Sequence, residues 1–90
     1  MTEKQVYEIT NDIFDYSCAI CKSNVVAMHH IRFGSVGRHT YLGNVIPLCE
    51  RHHRMAHSDK LKYQPILIDI VNKKLKENGF KEVNLWVMEY

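Results

Sequence analysis

The residues with the greatest chemical reach in this chain are three cysteines and six histidines, and their spacing sorts most of them into two groups. Cys18-Ala-Ile-Cys21 and Cys49-Glu-Arg-His52 are two ligand-x-x-ligand pairs, separated by residues 22–48. A turn of this kind presents two donors from one tight bend, and two such turns supply the tetrahedron that zinc prefers. All the cysteines are consumed by this assignment. Four protein ligands leave no open coordination position, so the expected site is a structural Cys3His knuckle. Bound zinc there supplies on the order of 10 kcal/mol of folding free energy. A redox Cys-x-x-Cys is the weaker reading, because no βαβ pattern surrounds the pair.

In the second group, His29 and His30 end an apolar run, Val25-Val26-Ala27-Met28, while His53 and His57 form an H-x-x-x-H pair. On a helix, positions i and i+4 project from one face, so His53 and His57 can grip a single cation. Along a strand neighbours point to opposite sides, so His29 and His30 cannot share one task. One can bind the metal while the other faces a substrate or a partner residue. Asn44 sits in a Gly-Asn pair, which is also an ordinary turn signal. His39 fits neither group.

Several elements must position these side chains. Val6, Ile9, Ile13 and Tyr16 recur at three- and four-residue steps, and Thr2 with Gln5 resembles a capping box, so a short helix is expected over 2–16. Residues 18–48 read as the Cys-x-x-Cys turn, then two short strands around a Gly-containing loop, the second strand being Asn44–Leu48. Residues 50–57 suit a helix. A further helix is expected from Pro65 as its first residue, with Ile66, Ile70, Val71 and Leu75 as its apolar face and Asn78-Gly79 as its stop. The alternation from Val83 to Val87 reads as a strand.

Ninety residues make one small domain, spanning 1–90 with its chemistry in 18–57, and a core of that size welcomes a metal staple. The composition, 46% hydrophobic and 24% charged, is that of a globular chain, and the formal charge of +2 permits a polyanionic partner without demanding one. An odd cysteine count fits poorly with a disulfide framework. Without an apolar signal segment or a run of about 20 apolar residues, a cytoplasmic setting with no membrane association is expected.

The run HHIRFGSVGRHTYLGNVIPLCERHHRMAH resembles the HNH nuclease motif, most closely that of the zinc-knuckle HNH proteins common in phages and prophages. The family's first His pair falls on His29-His30, its central Asn on Asn44 and its closing helix on His53 to His57, whose H-x-x-x-H ending also resembles the colicin nucleases. The second knuckle pair departs from the Cys-x-x-Cys of many relatives, and His29 stands where many have Asp or Glu. The resemblance covers residues 18–57. It implies a small α+β fold: a ββα-metal HNH core with a Cys3His zinc knuckle, flanked by an N-terminal helix and a C-terminal helix plus strand.

The same resemblance implies single-metal hydrolysis of phosphodiester bonds in DNA, with RNA not excluded. His29, His53 and His57 would hold a divalent cation (Mg2+, Mn2+, Ni2+ or Zn2+), and His30 would be the general base. Asn44 would brace the loop and orient the His30 ring. The expected products carry a 5′-phosphate and a 3′-hydroxyl, and a minor-groove approach would read backbone shape more than base identity. Arg32, Arg38 and Arg54 are candidate phosphate contacts. Lys73, Lys74 and Lys76 suit the wet face of the last helix, and Trp86 and Tyr90 suit core or oligomer contacts. Two further readings share these residues: a non-catalytic zinc module that binds nucleic acid or protein, and a nuclease subunit working only within a larger phage-type machine. A homodimer is compatible with either.

Overall fold

A computed structural model describes residues 2–24, 26–31 and 40–80. Within them the chain is a small α+β unit in the order α1 (Glu3–Ile13), β1 (Ala27–His30), β2 (Val45–Leu48), α2 (Glu50–Ser58) and α3 (Lys60–Glu77). Residues 32–39 lie outside this description, and with them Arg32, Arg38 and His39. The expected strand at 83–87, Trp86 and Tyr90 also fall outside it. No helix of the described residues is long and apolar enough to cross a membrane.

Helix α1 opens on the expected capping box. The Gln5 N–H donates to Thr2 Oγ1 at 3.1 Å, and the Thr2 N–H donates to Gln5 Oε1 at 2.8 Å. Two of the otherwise orphaned amides of the first turn are satisfied in this way. The helix buries Val6, Thr10 and Ile13 and stops there, short of the expected 2–16. Tyr16, expected on the apolar face, is instead exposed. Asp15 and Tyr16 adopt left-handed backbone (φ 56 and 53°), which turns the chain out of the helix toward Cys18.

Strands β1 and β2 pair antiparallel, with His29 opposite Ile46 and His30 opposite Val45. The Ile31 N–H extends the ladder by donating to the Asn44 carbonyl at 2.8 Å. Pro47 is tolerated in β2 because the sheet formed by the described residues has two strands, leaving one edge of each outside the ladder. That edge is still used: the Pro47 carbonyl accepts from the Ala19 N–H at 2.9 Å, docking the Cys18–Cys21 turn onto the strand.

Helix α3 starts at Lys60, not at Pro65. The Asp59 carboxylate caps the Lys62 N–H at 3.4 Å, and Pro65 lies inside the helix. The missing Pro65 amide leaves one carbonyl for water, which the fully exposed first turn around Leu61 permits. The inward face shares Val71 and Leu75 with the expected one and differs in its first half. Leu67, Ile68, Val71 and Leu75 are buried, whereas Ile66 is exposed and Ile70 half-buried. Asn78 and Gly79 end the helix as expected. Gly79 takes φ +85°, a backbone that side chains rarely tolerate, and the Phe80 N–H reaches the Leu75 carbonyl at 2.8 Å. The core joins Ile13, Phe14, Ile31, Ile46, Leu48, Ala56 and the inward residues of α3, with Cys18 and Cys49 at its edge.

Candidate metal centres

The Cys-x-x-Cys turn, the end of β2 and the first turn of α2 converge on one point. There the donor atoms of Cys18, Cys21, Cys49 and His52 lie within 4.8 Å of one another. Three separations define the cluster further. Cys21 Sγ to Cys49 Sγ is 3.7 Å, Cys18 Sγ to His52 Nδ1 is 3.6 Å and Cys49 Sγ to His52 Nδ1 is 3.2 Å. With Zn–S near 2.3 Å and Zn–N near 2.0–2.1 Å, a tetrahedron has S···S edges of about 3.8 Å and S···N edges of about 3.5 Å. The sulfurs are too far apart for a disulfide, which needs about 2.05 Å, and all the cysteines are free. The donor set therefore fits zinc, and His52 rather than His53 completes it.

The electrostatics of the knuckle move Cys18 and Cys21 in opposite directions. Burial by itself pushes the Cys18 thiol up, but backbone N–H groups of Cys21, Cys49 and Ile20 aim at its sulfur and bring it down to about 6. Cys21 accepts from the Ser23 N–H, which lowers it. Desolvation and the adjoining Cys49 and Cys18 sulfurs outweigh this and raise it. Thiols this close repel one another as thiolates, so full deprotonation requires a cation among them.

The second convergence lies on a neighbouring face of α2. His29 projects from β1 and meets the His53 and His57 rings edge-on, with centroids 5.0 and 5.1 Å away. The three donor nitrogens lie within 4.8 Å of one another, close enough to share one ion. His53 Nε2 and His57 Nε2 stand 3.1 Å apart, so these nitrogens must share either a proton or a cation. Desolvation lowers His29 to about 4, helped by repulsion from His53, His57 and His30, and desolvation followed by His57 lowers His53. His29 and His53 thus keep their lone pairs at neutral pH, as metal ligands must.

His30 points away from this trio, as strand alternation requires. Its Nε2 lies 2.8 Å from Thr40 Oγ1, and the ring of Tyr7 packs against it. Thr40 and Tyr7 were not singled out by any spacing in the sequence. Asn44 is fully buried at the start of β2, and its backbone ties Tyr41 to Ile31 across the hairpin.

Of the arginine candidates, only Arg54 lies within the described residues. It forms an exposed i,i+4 ion pair with Glu50 at 3.2 Å, a contact worth little energetically. It also lines an open cleft of about 520 Å³ between α2 and α3, together with Arg51, Met55, Ser58, Asp59, Lys62 and Tyr63. None of the clustered ligands lines that cleft. Lys73 and Lys76 are exposed and Lys74 is half-buried near Glu77, as a solvated helix face would have them.

No protein-family model matches the chain, and comparison with curated proteins and with solved structures gives no significant match.

Proposed function

We propose that this protein is a metal-dependent endonuclease of the HNH type, cutting DNA with low intrinsic sequence specificity. The observation that carries the reading is the division of labour on β1. His29 joins His53 and His57 in a three-nitrogen cluster, while its neighbour His30 turns to the opposite side. The order β1–β2–α2 and the Cys3His cluster beside it support a ββα-metal core with a structural zinc.

Three imidazoles are the ligand number of catalytic rather than structural sites, because they leave positions for substrate and water. A divalent cation held there supplies Lewis-acid stabilisation of the charge that builds on the phosphate and the leaving oxygen. His30 takes a proton from the attacking water. The water oxygen bonds to phosphorus, the bond from phosphorus to the 3′ oxygen breaks, and that oxygen takes a proton from solvent. The products carry a 5′-phosphate and a 3′-hydroxyl. Asn44 holds the strand end beside His30 through its carbonyl bond to the Ile31 N–H.

The test is nicking of supercoiled plasmid, repeated with Mg2+, Mn2+, Ni2+ and Zn2+. The expected result is cation-dependent nicking that falls by about 10²–10⁴ in His30→Ala, the range for a lost general base, without loss of fold. A wild-type chain that cuts neither DNA nor RNA with any of these ions refutes the proposal. Nucleic-acid binding without cutting would mark a zinc-stabilised binding module instead.

A further inference from the structure

We infer that Glu3 and Thr40 are positioning residues for His30, forming a carboxylate–hydroxyl–imidazole relay that decides which ring nitrogen carries the proton. Its catalytic consequence rests on the nuclease reading; the relay itself rests on geometry. Thr40 Oγ1 donates to Glu3 Oε2 at 3.1 Å and lies 2.8 Å from His30 Nε2. A hydroxyl has one proton to give, and an ionised carboxylate can only accept. Both contacts can coexist in one way: Thr40 donates to Glu3, and Nε2–H of His30 donates to Thr40. The imidazole lone pair is thereby placed on Nδ1.

Helix α1 is built to deliver this. The capping box of Thr2 and Gln5 fixes the first turn, where Glu3 sits. Tyr7 follows one turn later on the same face and meets the His30 ring edge-on, with centroids 6.3 Å apart and planes at 76°. His30 is thus held at Nε2 through a hydroxyl and along its ring by an aromatic edge, both contacts depending on one helix. The chain Nε2–H to Oγ–H to carboxylate ends on an acceptor that can only accept, which holds the ring in this one tautomer.

The experiment uses the full zinc-loaded chain with ¹⁵N-labelled histidine, at about pH 8, where an ordinary imidazole is neutral. Nitrogen shifts separate the two neutral tautomers, and His30→Ala identifies the signal. The wild type is expected to show His30 protonated at Nε2. Thr40→Val and Glu3→Gln release the ring from a single tautomer to the mixed population of a free imidazole, in which the Nδ1–H form becomes detectable, and Thr40→Ser restores the wild-type pattern. In plasmid cleavage, the first two variants lose about tenfold in kcat with KM unchanged, as for other lost partners of a functional histidine. A wild-type His30 protonated at Nδ1, or a tautomer unmoved in both variants, overturns the relay. So does an unchanged kcat in both. A chain that cuts nothing but whose tautomer responds as stated removes the nuclease reading and upholds the relay.

Discussion

Cys21→Ser isolates the zinc contribution, because Cys21 is exposed whereas Cys18 is fully buried and Cys49 nearly so. Replacing Cys18 would combine a lost ligand with a lost core contact. Replacing Cys21 leaves packing almost untouched, so any destabilisation reports the metal. Its sulfur lies 3.7 Å from Cys49 Sγ, one edge of the proposed tetrahedron. If losing this ligand weakens zinc binding by about a thousandfold, linkage removes about 4 kcal/mol of stability when zinc saturates the wild type. In a domain of this size that lowers Tm by on the order of 20 °C. Thermal unfolding followed by far-UV circular dichroism, with zinc and then with a strong chelator, provides the cycle. The variant should melt far below the wild type with zinc, and the two should coincide in chelator. Equal melting with zinc would refute a zinc role for Cys21, and a gap that persists in chelator would assign the effect to packing.

Two further outcomes test the histidine cluster. His53→Ala should bind one zinc tightly through the knuckle and lose a second, weaker divalent ion, read by metal analysis and calorimetry; a wild type with a single site contradicts the cluster. His29 also ties stability to pH. Its folded pKa, about 4, lies below the ordinary 6.5, so the unfolded chain takes up the proton first as pH falls. Stability from this group is complete above pH 6.5 and declines toward pH 4, by at most about 3 kcal/mol. Urea unfolding of wild type and His29→Gln across this range, without added second cation, should show the wild type losing the difference; parallel curves would mean that His29 is protonated without penalty.

The parts of the site that were legible in the sequence are those whose spacing is local. An x-x turn confines two donors to one bend, and H-x-x-x-H confines two to one helix face, so Cys18, Cys21, Cys49, His52, His53 and His57 could be grouped without a fold. Strand alternation likewise parted His29 from His30. Where tertiary structure decides, the local signals misled. Pro65 looked like a helix start, yet Asp59 caps α3 before it, and tertiary packing turns Leu67 and Ile68 inward while leaving Ile66 exposed. The three-four spacing through Tyr16 did not reveal the left-handed pair that ends α1. Glu3 and Thr40 meet across 37 positions, and no periodicity encodes such a contact.

Helix α2 explains why the Cys3His cluster lies beside the histidine trio. Its N-cap is Cys49, whose side chain caps no amide and instead sits in the knuckle. A Ser or Asp there would stabilise the helix by about 1 kcal/mol, so the cap has been given up for a ligand. The next ligand, His52, precedes His53, and adjacent helical residues point about 100° apart. A zinc ion held by Cys49 and His52 would therefore set the rotation of α2 about its axis, and that rotation would aim His53 and His57. The same knuckle is tied to the sheet through Ala19 and Pro47, and the sheet carries His29 in register with Ile46. Both halves of the trio are thus referenced to one origin. Such a dependence is reciprocal: to whatever extent zinc in the knuckle tightens the histidine site, a cation in the histidine site must tighten the knuckle by the same factor.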